Sequence, residues 1–100
     1  MFLIRMKTWY LYLLECTDGS IYTGITVDVE ARYAAHAARR GARYTRSHPP
    51  VRMLAIFEHA DRASASKAEY AMKRLTPAEK RAMAQAAASR QRKKRKKAPA

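Results

Sequence analysis

The sequence is short of several residue types, and each shortage excludes a class of protein. Cys16 is the only cysteine, so no disulfide can form within the chain, and a reducing compartment such as the cytoplasm is the simpler expectation. No apolar run approaches the roughly 20 residues of a membrane-spanning helix, and the opening MFLIRMK is too short in apolar residues for a signal peptide. We therefore expect a cytoplasmic protein without a membrane partner.

Acidic residues are also scarce, with 8 against 21 lysines and arginines, which gives a formal net charge of +13. Such a surplus in a chain of 100 residues indicates a polyanionic partner, with nucleic acid as the first candidate. The segment RQRKKRKK at residues 90–97 carries seven positive charges, leaving 14 basic against 8 acidic residues in 1–89. Residues 1–89 therefore carry a net positive charge of their own, apart from the basic tail.

The length allows one small folded domain. We predict an N-terminal extension at residues 1–8, a domain at 9–89 and a disordered basic tail at 90–100, because seven like charges cannot pack together. The tail is predicted to contact phosphates with little sequence preference.

Residues 9–16 and 20–25 read as two antiparallel strands around the turn TDG, and residues 51–59 as a third strand, apolar enough to be the centre of a sheet. A first helix begins at the N-cap Asp28 and stops at Gly41. RYTRSHPP is interpreted as a loop, because its two prolines remove backbone donors.

Two further helices follow the third strand. One lies in SASKAEYAMKRL, and the last begins with Thr76 as cap, Pro77 in first position and Glu79 completing a capping box. The order ββαβαα predicts an α/β (α+β) fold in which helices cover a three-stranded sheet.

The hairpin register decides whether two tyrosines share a face. A two-residue turn at Asp18 and Gly19 would send Tyr22 to the face opposite Tyr12. A three-residue loop with Gly19 left-handed instead pairs Tyr12 with Gly24 and puts both phenols on one side. A shared tyrosine site requires the second register.

Arg32 and His36 are four residues apart, so they are neighbours on one face of the first helix. A guanidinium holds phosphate oxygens in a fixed fork, and an imidazole can move a proton near neutral pH. The pair suits phosphoryl chemistry, although a solvated basic face is the plainer reading. No acid lies between Ala31 and Phe57, so phosphate contact is expected for the arginines of this stretch: Arg39, Arg40, Arg43 and Arg46.

Glu69 allows two interpretations. It lies beside the apolar stripe of the second helix, yet its spacing from Ser66 also fits a capping box, and spacing alone favours the cap. Cys16 is interpreted as a small core residue.

Taken together, these segments resemble the GIY-YIG nuclease superfamily, in particular its small single-domain bacterial members of the UPF0213 type. The resemblance covers about residues 9–80. YLY at residues 10–12 is similar to the first signature and YTG at 22–24 to the second, followed by the Arg32 and His36 helix and the Arg-Tyr-Thr segment. Tyr10 replaces the glycine of the first signature, and Thr23 replaces the isoleucine of the second. The chain contains no asparagine, so it cannot match the asparagine that supports the site in several members.

The resemblance implies a three-stranded antiparallel sheet flanked by helices and hydrolysis of a DNA phosphodiester with one divalent metal, Mg²⁺ or Mn²⁺, and no small-molecule cofactor. It implies that Tyr12 and Tyr22 position or deprotonate the attacking water, and that Gly24 is a structural residue of the motif. Arg32 would stabilise charge on the phosphate, His36 would lie in the active site, and Glu69 would bind the metal.

The leading hypothesis is therefore a metal-dependent DNA endonuclease in the bacterial cytoplasm or nucleoid, serving repair or recombination. Without a separate recognition domain, it is expected to read branched, single-stranded or nicked DNA through phosphates rather than sequence. The tail would contribute phosphate contacts from Arg90, Arg92, Lys93 and Lys94. The alternatives are a non-catalytic nucleic-acid-binding module and an adaptor for another enzyme, with the oligomeric state open.

Overall fold

A computed structural model describes residues 7–96, with side chains described from 7 to 90. Its elements are β1 (Trp9–Cys16), β2 (Ile21–Thr26), α1 (Val29–Ala37), α2 (Arg43–Ser47), β3 (Pro50–His59), α3 (Arg62–Lys73) and α4 (Pro77–Lys96). No helix among the described residues is long and apolar enough to cross a bilayer.

The three strands form one antiparallel sheet in the order β2-β1-β3. The predicted α+β class is confirmed, but the prediction that residues 51–59 form the sheet centre is wrong. β1 is central because residues 11–14 are buried one after another, covered on both faces. β3 is an edge strand that leaves Val51 and Ile56 exposed.

The hairpin between β1 and β2 adopts the three-residue loop. Gly19 has φ 84°, and its N–H donates to the carbonyl of Cys16 at 2.9 Å. Tyr12 consequently pairs with Gly24, and Leu14 with Tyr22. The register that a shared tyrosine site requires is therefore the one observed.

The two faces of the sheet serve different purposes. Leu11 and Leu13 point into an apolar core beneath α3 and α4, where burying each leucine contributes about 1.5–3 kcal/mol. Cys16 is buried, as predicted. Tyr12 lies on the opposite face, under α1 and α2, so polar side chains of those helices can meet it.

The start of α1 is confirmed and its predicted end is wrong. Asp28 caps the helix, accepting from the N–H of Ala31 at 3.0 Å. The helix ends at Ala37, where Arg39 takes the left-handed conformation (φ 62°) usual for glycine. The N–H groups of residues 39 and 40 donate back to the carbonyls of residues 36 and 35, closing the helix end before Gly41 is reached.

The segment predicted to be a loop contains the one-turn helix α2. The N–H of Arg46 donates to the carbonyl of Ala42 at 3.2 Å, and that of His48 to the carbonyl of Tyr44 at 2.9 Å. Pro49 and Pro50 follow this helical turn in the chain, so they do not disrupt its hydrogen bonds. The loop prediction was wrong because their helix-breaking effect does not reach five residues upstream.

The capping interpretation of Glu69 is wrong. α3 begins at Arg62 with Asp61 as N-cap, whose carboxylate accepts from the N–H of Ser64 at 2.8 Å. Glu69 therefore lies in the interior of the helix, where its carboxylate has no capping role.

The capping box of α4 is confirmed, with reciprocal hydrogen bonds between Thr76 and Glu79 at 2.8 and 3.1 Å. α4 continues to Lys96, whereas disorder was predicted from residue 90 onward. Alanine, glutamine, lysine and arginine all favour helix, so the backbone of α4 extends through this part of the basic segment. Residues 1–6 and 97–100, which include most of the predicted N-terminal extension, lie outside the described residues.

Candidate active site

A buried line of hydrogen bonds connects β1 to both short helices. The hydroxyl of Tyr12 lies 2.9 Å from Nε2 of His36, and Nδ1 of the same ring lies 2.6 Å from Oγ1 of Thr45. Thr45 in turn donates to the carbonyl of Ala42 at 3.0 Å. Tyr12 is 1% exposed and the other two side chains are 0% exposed.

This line has a direction. We assign the Thr45 hydroxyl proton to the carbonyl of Ala42, and with this assignment the Thr45 oxygen accepts from Nδ1–H of His36. A neutral imidazole has one N–H, so Nε2 carries a lone pair and accepts from the hydroxyl of Tyr12. This assignment gives His36 the Nδ1–H tautomer and places a proton acceptor, Nε2, on the phenol.

His36 is held in the neutral form that this role needs. Burial lowers its pKa, and the positive charge of Arg32 one turn earlier lowers it further. Nε2 therefore stays available as an acceptor at neutral pH.

Two glycines make room for these rings. A Cβ on Gly24 would overlap the hydroxyl of Tyr12, and a Cβ on Gly41 would overlap Nδ1 of His36. The second finding explains Gly41, which does not end the helix as predicted but lets the imidazole pack close to the chain.

Tyr12 is also the residue on which the other predicted side chains converge. Burial raises the pKa of its phenol above the ordinary value, Arg32 opposes this as a nearby cation, and the charge of Glu69 adds to the rise. Arg32 from α1 and Glu69 from α3 are thus both close enough to act electrostatically on one hydroxyl.

Tyr22 joins the same cluster from β2. Its ring centroid lies 6.3 Å from that of Tyr12 and 5.2 Å from that of His36. On its other side Tyr22 stacks with Tyr44 at 6.0 Å, and Tyr44 stacks with His48 at 4.1 Å. The structure therefore brings together both tyrosines, Arg32, His36 and Glu69 from four separate elements.

Glu69 is the carboxylate available for a metal. Its Oε2 lies 3.2 Å from Nζ of Lys73, one turn along α3. Among residues 7–96 no group of three or more His, Cys, Asp or Glu side chains could hold a metal ion. A single carboxylate still suits Mg²⁺, which keeps several waters and often takes one or two carboxylates with substrate phosphates. The donor chemistry at Glu69 fits a hard divalent ion bound together with substrate.

The predicted phosphate-contact residues lie at the surface. Arg39, Arg40, Arg43, Arg46 and Arg90 are all exposed. None of them forms an ion pair with a described carboxylate, so their charge faces solvent. The side chains of Arg92, Lys93 and Lys94 fall outside those described, and their DNA contact stays a prediction.

Two buried residues, one in the site and one outside it, were not predicted. Thr45 fixes the tautomer of His36 from nine residues away, and Lys80 lies buried at the edge of β2. Neither belongs to a local pattern that indicates its role: Thr45 is one hydroxyl residue in a basic segment, and Lys80 follows a capping box as any helix lysine can.

The GIY-YIG catalytic domain profile matches residues 8–82, three quarters of the chain. The chain belongs to the GIY-YIG family. This family is a nuclease superfamily, so the general class of activity is phosphodiester hydrolysis on nucleic acid, generally with a divalent metal. The predicted resemblance is thereby confirmed.

Relatives of this GIY-YIG chain carry the name UPF0213. One from Xanthomonas axonopodis pv. citri is 58% identical over 81 residues, covering 81% of this chain and 79% of its own length. Another from Cupriavidus pinatubonensis is 55% identical over 74 residues, covering 74% and 82%. The solution NMR structure of a UPF0213 protein from Bacillus halodurans has 41% identity and a TM-score of 0.48, covering 76% of this chain and 81% of its own.

Proposed function

We propose that this chain is a metal-dependent DNA endonuclease whose chemistry centres on Tyr12. The observation that carries the proposal is the directional line from Tyr12 through His36 to Thr45. Such a line has a clear chemical use, because it lets a buried phenol give up its proton to a neutral imidazole. A plain binding module has no need of it.

The proton path begins with an obstacle. Burial raises the pKa of Tyr12, so its phenol does not ionise at neutral pH by itself. Nε2 of His36 accepts the hydroxyl proton while the phenolate oxygen takes a proton from the attacking water. The water oxygen then bonds to phosphorus as the bond to the leaving oxygen of the sugar breaks.

Arg32 and Tyr22 act on the reacting groups themselves. The guanidinium of Arg32 lies near the phenol of Tyr12, where it can bind a non-bridging phosphate oxygen and offset the charge that develops there. Tyr22, half-buried beside both rings, would hold the water in line for attack. We therefore assign proton transfer to Tyr12 and positioning to Tyr22.

Glu69 is the residue that would hold the metal, Mg²⁺ or Mn²⁺. When bound, such an ion supplies Lewis-acid stabilisation of the phosphate and the leaving oxygen. Lys73 must leave the carboxylate for this to happen, and their 3.2 Å pair at a partly exposed site is weak enough to be broken.

DNA is proposed as the substrate because the exposed cations Arg39, Arg40, Arg43 and Arg46 follow the helix that carries Arg32 and His36. Unpaired guanidinium groups beside the tyrosine cluster would bind the backbone on either side of the reacting phosphate. Cytoplasmic DNA processing, including repair or recombination, is the proposed setting, with branched, single-stranded or nicked DNA as substrate.

The test is nicking of a supercoiled plasmid with Mg²⁺ or Mn²⁺ at matched DNA occupancy. Removing the base in Tyr12→Phe should lower the rate by about 10²–10⁴. Arg32→Ala should lower the nicking rate by about 10²–10³, and Glu69→Ala should abolish the nicking that Mg²⁺ or Mn²⁺ stimulates. If the wild type binds DNA and never cuts it, the chain is a nucleic-acid-binding module.

A further inference from the structure

Lys80, in the first turn of α4, is a buried ammonium that the proposed chemistry does not use. The residue is only 8% exposed, and its Nζ donates to the carbonyl of Ile21 at 3.2 Å. No carboxylate pairs with it among the described residues. An ammonium has three N–H donors, so two remain for another acceptor.

Lys80 lines a groove of about 330 Å³ along the outer edge of β2. The walls are residues 20–23 of the hairpin, the ring of Tyr44, and Lys73 with Pro77 beside Lys80. Lys73 and Lys80 contribute positive charge, and no acid lines the groove. Four lining residues carry hydroxyl groups: Ser20, Tyr22, Thr23 and Tyr44. Its chemistry suits an anion.

The free edge of β2 adds further donors. The carbonyl of Ile21 reaches Lys80, so it points away from β1. Because alternate residues of an antiparallel strand turn their peptide groups to the same side, Thr23 also directs its N–H away from β1. The hydroxyl of Thr23 is buried and has no hydrogen-bond partner among the described residues.

The groove is continuous with the candidate active site. Tyr22 lines it and also lies against Tyr12 and His36. Lys73 lines it while its Nζ contacts Glu69 at 3.2 Å. A nucleic-acid strand whose reacting phosphate lies at Glu69 and Tyr12 would therefore extend into the groove.

We propose that this groove binds the phosphate next to the scissile one on the cleaved strand, with Lys80 and Lys73 as its ligands. The inference rests on the proposed nuclease function, since it takes the reacting phosphate to lie at Tyr12 and Glu69.

The burial of Lys80 supports a ligand-binding role. Burial lowers the pKa of Lys80, and the charge of Lys73 lowers it further. The two cations lie close together, and within the described part of the chain only Lys73 has an acidic partner, Glu69. An anion between them would relieve both effects. The alternative is purely structural, with Lys80 serving only to tie α4 to the carbonyl of Ile21.

The experiment is an amide NMR titration of the metal-free protein with single-stranded tetrathymidylate, so that no cleavage can occur. The wild type should show shifts at Ile21 and Thr23. Lys80→Met should weaken that binding at least tenfold, because a charge-assisted phosphate contact is lost. Lys67→Met, which removes the same charge from an exposed position of α3, should change it less than twofold.

A thermal melt separates the two roles of Lys80. A ligand-binding role predicts that Lys80→Met melts at the wild-type temperature or higher, because methionine fills the same space without a buried charge. The proposal would be overturned if the amide chemical shifts of Ile21 and Thr23 did not change in the wild type. It would also be overturned if a folded Lys80→Met protein bound the oligonucleotide as tightly as the wild type. Should that variant not fold, the wild-type titration decides alone.

The outcomes distinguish this inference from the nuclease proposal. Shifts at Ile21 and Thr23 that depend on Lys80, in a protein that never nicks plasmid, would refute the activity and leave the groove as a phosphate site. If the protein nicks plasmid while the amide chemical shifts of Ile21 and Thr23 stay unchanged, the phosphate site in the groove is refuted and the nuclease activity stands.

Discussion

Replacing Thr45 by valine tests whether the proton line has the direction assigned to it. Valine keeps the shape of threonine and removes the hydroxyl, so Nδ1–H of His36 loses its acceptor at 2.6 Å. Both side chains are 0% exposed, and water cannot easily replace the lost partner. A buried donor without a partner costs about 1–3 kcal/mol, and we expect the free energy of unfolding to fall by that amount.

The effect on activity should exceed the effect on stability. Without Thr45 the imidazole can move its proton to Nε2, where it would donate to the hydroxyl of Tyr12 instead of accepting from it. The phenol then has no proton acceptor, and nicking should fall by about 10²–10⁴ under conditions where the protein is folded. Thr45→Ser keeps the hydroxyl and should retain most of both properties.

Urea unfolding measures the stability change, and ¹⁵N NMR of the His36 ring reports its tautomer. The wild type should carry the proton on Nδ1, and Thr45→Val should shift the population towards Nε2. A wild-type ring protonated on Nε2 would refute the reasoning, as would a folded Thr45→Val protein that nicks plasmid as fast as Thr45→Ser.

Three further predictions concern space, pH and metal. Gly24→Ala should lower the free energy of unfolding by about 1–3 kcal/mol and abolish nicking, because its methyl overlaps the Tyr12 hydroxyl; urea unfolding and plasmid nicking check this, and a variant as stable and active as the wild type would contradict it. The pKa of His36 is lowered in the folded state, so the unfolded state binds the proton first as the pH falls. The free energy of unfolding should therefore decrease as the pH drops below about 6.5, and urea unfolding at about pH 7 and 5 measures this. If wild type and His36→Gln lost the same free energy of unfolding between these two pH values, the prediction would be contradicted. Lys73→Met should tighten Mn²⁺ binding about twofold, as measured by calorimetry, because the competing pair with Glu69 is worth about 0.3–0.5 kcal/mol; unchanged affinity would argue against a metal at Glu69.

The parts of the fold that could be predicted are those that local chemistry decides. Asp28 caps α1 because a short acid there meets free N–H groups, and Thr76 with Glu79 closes the start of α4 for the same reason. The turn sequence allowed two hairpin registers. Only the register with Gly19 in the left-handed conformation brings Tyr22 onto the face of Tyr12, and this is the one observed.

The parts that could not be predicted depend on contacts between distant segments. Gly41 carries the local signature of a helix stop, yet its lack of a side chain is needed because His36 packs against it. Helix α2 forms where two prolines suggested a loop, and only there does Thr45 reach the imidazole. Lys80 shows the same limit, because nothing in its neighbourhood along the chain indicates that it lies buried against β2.

The most direct measurement is plasmid nicking by wild type and Tyr12→Phe at matched DNA occupancy with Mn²⁺. Removal of one oxygen leaves the ring beside His36 and takes away the hydroxyl that transfers the proton, together with its hydrogen bond to Nε2. The proposed mechanism predicts nicking by the wild type and a loss of about 10²–10⁴ in the variant. A wild type that binds without cutting, or a variant that cuts equally fast, would contradict it.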